Sequence, residues 1–218
     1  NLSREWHGKI KKSYTASDIF SKLKNTNPSP FAGLVTFKDK AIISSSPERL
    51  IMVKNGQMET RPIAGTRSRG RSGVYDVALS QDLLNNKKER AEHIMLVDLE
   101  RNDLSKVTIK GSVKVNELMI VESYAHVHHI VSNVTGKIRK DATPGKIIEA
   151  VFPGGTITGC PKVRCMEILS EIEKTGRGPY TGSIGYINND GSMDLNILIR
   201  TIVKDKNNGL LKKFTTEL

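Results

Sequence analysis

Apolar positions along this chain follow two periods, and the switches between them mark out the elements. In residues 15–25, Ala16, Ile19, Phe20 and Leu23 share one face after a Ser/Thr/Asp cluster, which predicts a helix. Short apolar or alternating runs follow at 31–37 (FAGLVTF), 41–46 (AIISSS), 49–55 (RLIMVKN) and 57–63 (QMETRPI). They are separated by Asp, Pro, Asn and Gly breaks, the pattern of an antiparallel meander. The helical period returns over residues 80–99, with Leu83, Leu84, Ala91, Ile94, Met95, Val97 and Leu99 as the apolar stripe and Glu89, Arg90, Glu92 and His93 on the other faces. Residues 111–138 read as successive strands and 146–151 as a short helix. SIGYIN and LNILIRTIV read as a closing hairpin. The fold class is therefore α+β, with antiparallel β-sheets backed by helices.

The run at 150–169, AVFPGGTITGCPKVRCMEIL, stands out because it concentrates backbone-specialised residues. Pro153, Gly154 and Gly155 break the chain, Thr156 and Thr158 supply hydroxyls, and Gly159 leaves its amide unobstructed. Pro161 suits a first helical turn, and Val163, Met166, Ile168 and Leu169 continue at roughly helical spacing. A loop of this kind feeding a helix is chemically a cradle for a carboxylate or phosphate, although many such turns are only connectors.

Composition narrows the classes. With 218 residues, 37% hydrophobic, the chain suits one sizeable domain, and it has no apolar run long enough to span a bilayer. The opening NLSREWHGKIKKSY lacks the apolar stretch of a secretion signal, which favours a cytoplasmic location. Cys160 and Cys165 have no zinc-ligand spacing and would remain thiols there. The net charge of +11 admits a nucleic-acid-binding module. Its basic residues are scattered in short clusters, however, and aromatics make up only 5%, so solvated basic faces are the better reading and no nucleic-acid partner is expected.

Several segments now acquire meaning together: SSSPERL (44–50), ETRPIAGTRSRG (59–70), KERAEHIMLVDLERNDL (88–104), YAHVHHIVSNVTGKI (124–138) and PYTGSIGYINNDGSMDLNILIRT (179–201). With the Gly-Thr turn, they resemble the chorismate-utilising enzymes in both content and order. That family includes the large subunits of anthranilate and aminodeoxychorismate synthases, with isochorismate and salicylate synthases as relatives. The resemblance implies an α/β sandwich, chorismate as substrate and Mg²⁺ as cofactor. It also implies that the chain, as a catalytic domain over 1–218, lacks the family's N-terminal half and a segment near 208–209. GLLKKFTTEL would then be the final turns of a last helix.

Individual residues carry a chemical reading beside the family one. Glu92, on a helix, is in isolation a solvated residue; by resemblance it is the magnesium ligand, whereas Glu89 and Glu100 miss the matching position and are read as structural. Glu48 could be held ionised by a neighbouring Arg; by resemblance it is the general acid at the C4 hydroxyl of chorismate, since hydroxide does not leave without a proton. Arg200, in an apolar run, needs an anion, either a substrate carboxylate or a buried ion pair. By resemblance Arg200 and Tyr180 grip the enolpyruvyl carboxylate, Thr156 with Gly154 and Gly155 hold ring substituents, and Gly65 and Thr66 form another wall.

His126, His128 and His129 do not complete a zinc set, and only His129 matches the residue that lines the ring pocket. Lys162 is read as a first-turn residue able to reach a substrate carboxylate. The implied activity is amination of chorismate to 4-amino-4-deoxychorismate, with ammonia from a glutamine amidotransferase partner; the alternative is anthranilate formation. GGTITG, VHHIVS and GSIGY favour the first, while Ala64 stands where one group of aminodeoxychorismate synthases has a nucleophilic lysine and matches anthranilate synthases.

Overall fold

The structure, a computed structural model, describes residues 1–218 apart from 12, 208 and 218 and apart from the side chains of 214–217. β1 (Leu2–Lys9) leads into α1 (Ala16–Thr26), followed by β2 (Phe31–Thr36), β3 (Lys40–Ser46), β4 (Arg49–Lys54), β5 (Gln57–Thr60) and β6 (Ile63–Ser68). The helices α2 (Gly73–Asn85) and α3 (Lys87–Ser105) precede a long hairpin of β7 (Lys114–Ser123) and β8 (Val127–Lys137). Next come α4 (Pro144–Val151), the single turn α5 (Gly155–Thr158) and α6 (Lys162–Ile172). The strands β9 (Gly185–Ile187), β10 (Met193–Asn196), β11 (Thr201–Asp205) and β12 (Leu210–Glu217) complete the described fold.

The strands form two antiparallel sheets. One has the order β1-β12-β11-β3-β2; the other runs β6-β8-β5-β4-β10-β9, with β7 on the free side of β8. The main core lies between the larger sheet and α3, α4 and α5, where Ile51, Met58, Val134 and Met193 meet Val97, Leu104, Ile147 and Ile157. A smaller core forms where Ala16, Ile19, Phe20 and Leu23 of α1 cover Ala41 and Ile43 of β3, the helical face expected from their spacing. Thr15 caps that helix with Asp18 in a reciprocal capping box. None of the described helices is long and apolar enough to cross a membrane.

The chain passes between the sheets twice, and the two passages lie side by side. β3 leaves the small sheet through Pro47 and Glu48 to become β4 of the large one, and residues 197–200 return from β10 to β11. Ile197 N donates to Glu48 O at 3.0 Å, Ser46 Oγ donates to Ile197 O at 2.5 Å, and Ser45 N donates to Arg200 O at 3.2 Å. The closing hairpin expected from LNILIRTIV is thus only half correct. β9 and β10 pair, but the run then leaves the sheet, and Arg200 takes φ 51° to redirect it toward β3.

Three other expectations change. The single helix over 80–99 is two helices that begin earlier and end later, split at Asn86, whose side chain accepts from Lys88 N at 3.0 Å and Glu89 N at 3.1 Å and starts α3. The buried face of α3 keeps only part of the apolar stripe: Val97 and Leu99 are buried, but Ile94 and Met95 are exposed, while His93, Glu100 and Asp103 point inward. Leu210–Glu217 is a strand rather than the end of a helix, because it pairs on both sides, with β1 and β11, and so satisfies its backbone groups without needing a long helix. The segment expected to be missing between Asn208 and Gly209 falls at a position outside the described residues.

Arg49 ties this architecture together. It forks onto Asp194 with Nε and Nη2 both at 3.0 Å, reaches Glu59 with Nη1 at 2.6 Å and lies 4.9 Å from the centre of the Phe31 ring. Replacing it with Met should destabilise the protein by about 3 kcal/mol, because two half-buried carboxylates lose their counter-charge. Chemical denaturation of wild type and Arg49→Met measures this, and equal midpoints would refute it.

Candidate active site

A cavity of about 740 Å³ opens beside the two passages. Glu48, Gly65, Thr66, Glu92, His129, Thr156, Tyr180 and Arg200 all line it, although they come from segments spread between residues 48 and 200. Ala64, Ile63, Ile157 and Ile199 supply apolar wall, and Asn27, Arg67, Lys88, Glu89 and Lys213 complete a polar rim. Lys213 escaped the sequence reading because its segment was taken as a helix, and Asn27 because it lies just past α1, at the helix C-cap.

His129 organises one wall. It is 3% exposed, with Nδ1 2.9 Å from Thr66 Oγ1 and 3.4 Å from Gly65 O, while Nε2 lies 3.2 Å from Arg200 Nη2. A guanidinium only donates, so Nε2 must carry the lone pair and Nδ1 the proton. Burial, reinforced by the Arg200 charge, pushes the imidazole pKa down to about 4 and keeps it neutral. The ring therefore orients Arg200 and Thr66, and the Thr66 hydroxyl proton stays free to donate. Thr66 reaches the cavity because Gly65 sits at a register shift between β6 and β8 with φ 80°, a conformation in which a side chain would be strained.

Glu48 has the opposite electrostatic character. Burial pushes its pKa up to about 8, and the Glu100 carboxylate adds to the rise. The neighbouring Thr156 side chain, the Ile63 amide at 3.4 Å and the Arg200 charge only partly offset this. Thr156 Oγ1 is itself buried beside the Glu48 carboxyl, without a hydrogen bond of good geometry to a described residue. Arg200 is half-buried and forms no ion pair with a described residue, which leaves its role as a structural ion pair without support.

Three expected site residues do not line the cavity. A Cβ on Gly154 would meet Ile197 Cδ1 at 2.9 Å, and one on Gly155 would meet Leu99 Cδ2 at 2.3 Å, so these glycines allow close packing behind Thr156 rather than holding a ligand. The Gly155 amide approaches the protein's own Glu100 carboxylate, which takes the place of the anion expected in the turn. Lys162 is committed elsewhere: Nζ donates to Asp103 Oδ2 at 2.5 Å and to Val151 O at 3.1 Å. Its expected reach to a substrate carboxylate is corrected by this buried ion pair.

Glu92 lines the cavity and makes no ion pair with a described residue. Among the described residues no group of three or more His, Cys, Asp or Glu side chains forms a ready metal cage.

The paired antiparallel sheets thus set a neutral histidine, an arginine and a buried acid around one cavity. The chain belongs to the chorismate binding enzyme family, whose pattern it matches over residues 1–213. It is 55% identical over 184 residues to aminodeoxychorismate synthase component 1 of Bacillus subtilis, covering 84% of this chain and 39% of that protein. It is 50% identical over 186 residues to anthranilate synthase component 1 of Acetivibrio thermocellus, covering 85% of this chain and 38% of that one. The crystal structure of anthranilate synthase component I from Streptococcus pneumoniae superposes with a TM-score of 0.88 at 38% identity, over 98% of this chain and 46% of that one. The chain thus spans less than half the length of these relatives.

The raised pKa of Glu48 sets a pH dependence of stability. Unfolded, this carboxyl titrates near 4.5; folded, it holds its proton to about 8. Its contribution is full below pH 4.5 and is lost as pH rises through 8, and Glu100, raised to about 7, acts in the same direction. Glu48→Gln should therefore stabilise the fold at pH 8 by on the order of 3 kcal/mol and flatten the decline. Thermal melts of both proteins from pH 5 to 8 provide the test, and parallel curves would refute it.

Proposed function

We propose that this chain carries the chorismate-aminating centre of an aminodeoxychorismate synthase. The observation that carries the reading is the buried Glu48 carboxyl sharing one cavity with Arg200, where burial favours its protonated form. The identity to the Bacillus subtilis enzyme supports it. Arg200, oriented by His129, and Tyr180 bind the enolpyruvyl carboxylate, while Thr66 and Thr156 donate to ring substituents. Glu92 would hold Mg²⁺, which when bound neutralises the ring carboxylate and makes the diene accept nitrogen.

The net reaction replaces the C4 hydroxyl by an amino group. A C–N bond forms to ammonia, the C4–O bond breaks, and the departing oxygen takes the Glu48 proton to leave as water. A proton from the added nitrogen then restores the Glu48 acid, so chorismate and ammonia give 4-amino-4-deoxychorismate and water. Ammonia comes from a glutamine amidotransferase, in keeping with relatives named as component 1. Anthranilate formation is the second reading, and Ala64 favours it: the cavity wall offers a methyl group where some aminodeoxychorismate synthases have a nucleophilic lysine.

Incubation of the intact protein with chorismate, ammonium and Mg²⁺, followed by mass analysis, decides between the two. We expect 4-amino-4-deoxychorismate, none of it formed in the presence of a chelator. Anthranilate as the sole product would replace the first reading with the second.

Arg200→Lys should raise KM for chorismate by one to two orders of magnitude, since an ammonium cannot reproduce two parallel bonds to a carboxylate and the loss is about 1.5–3 kcal/mol. Steady-state kinetics on a variant with normal melting would show this. An unchanged KM would remove Arg200 from the binding role.

A further inference from the structure

Behind the cavity lies a buried polar group that the reaction above does not use. Asp103 is 1% exposed and has its charge matched twice, by Lys162 Nζ at 2.5 Å and Lys106 Nζ at 2.7 Å. Glu100, one turn earlier on α3 and 4% exposed, has no ion pair with a described residue. Asp103 faces it as a like charge and Lys162 as an opposite one, while the Thr60 side chain of β5 and the Gly155 amide of α5 approach its carboxylate. Glu100 Oε1 would lie 3.4 Å from a Cβ on Gly155, so it is wedged against the turn that presents Thr156.

Glu48, at the corner between β3 and β4, meets the same turn one residue further on, at Thr156, and feels the Glu100 charge. Its own surroundings are Glu100, Arg200, the Thr156 side chain and the Ile63 amide. Two carboxyl groups that repel each other in a poorly solvated region do not both ionise readily, so their titrations are linked. Burial raises both, Glu48 to about 8 and Glu100 to about 7. Glu48 opens on the cavity and Glu100 does not line it. The two positions therefore have different uses.

We infer that Glu100 is a positioning residue for the reaction: wedged against Gly155, it braces the turn that carries Thr156, and its carboxylate helps burial to keep the transferable proton on Glu48. This inference rests on Glu48 being the acid.

Glu100→Gln tests it, since the amide keeps the size and an acceptor for Gly155 N but removes the charge. The Glu48 carboxyl titration is followed by difference infrared spectroscopy against Glu48→Gln, alongside the pH profile of chorismate consumption by the intact protein. We expect the Glu48 titration and the basic limb of kcat/KM to move down together, giving roughly a tenfold loss at pH 8 with little change at pH 6. Thr60→Val, which weakens the ionised form of Glu100, should produce a smaller shift in the same direction and serves as the test if Glu100→Gln does not fold. An unmoved Glu48 titration in a folded variant overturns the inference. Wild-type protein that leaves chorismate untouched instead overturns the assigned reaction, and the infrared titration then decides the coupling by itself.

Discussion

The two antiparallel passages between the sheets are the constraint on which the site depends. A strand that changes sheets must leave one hydrogen-bonded ladder before it enters the next, and its backbone groups need partners in between. Here each passage supplies partners for the other, through Ile197 N to Glu48 O and Ser45 N to Arg200 O. The arrangement fixes an acid and a cation more than 150 residues apart in sequence on a shared wall. Both residues lie outside the strands, and each directly precedes one, Glu48 before β4 and Arg200 before β11.

Electrostatics then divides the wall into roles. His129 remains neutral because it is buried beside a guanidinium, and Glu48 remains protonated because it is buried near another carboxylate. The Glu48 shift runs against the ordinary charge of a carboxyl at neutral pH, the His129 shift keeps the imidazole neutral well into acid, and both follow from desolvation as the leading cause. The result is a pocket that offers a fixed positive charge and neutral hydrogen-bond donors, suited to an anionic ring compound. Glu92, half-buried on α3, adds a carboxyl group to the lining.

The α+β class, the helix over α1 and most strands of the large sheet were legible because their apolar periods are set by local burial. Eight of the expected site residues meet at the cavity, and they were recognised through motif resemblance, since spacing alone gives no reason for Tyr180 and Thr66 to converge. The misreadings have local causes. Lys162 and the Gly154 and Gly155 turn looked accessible because nothing in the sequence shows that Glu100 and Asp103 turn inward from a helix otherwise rich in charge. β1 and β12 escaped notice because pairing-dependent strands rich in polar residues carry little hydrophobic signal, and they are held by pairing with each other and with β11.

Arg200 holds its side chain on target by means of a left-handed backbone, at φ 51°. For a residue with a Cβ that conformation costs on the order of 1 kcal/mol, and glycine would adopt it freely. The position therefore sets durability against usefulness: drift toward glycine would relax the fold while removing the guanidinium that His129 orients. Selection for persistence alone would erode this residue, so its retention in a stabilised variant is a sign that ligand binding has been selected as well.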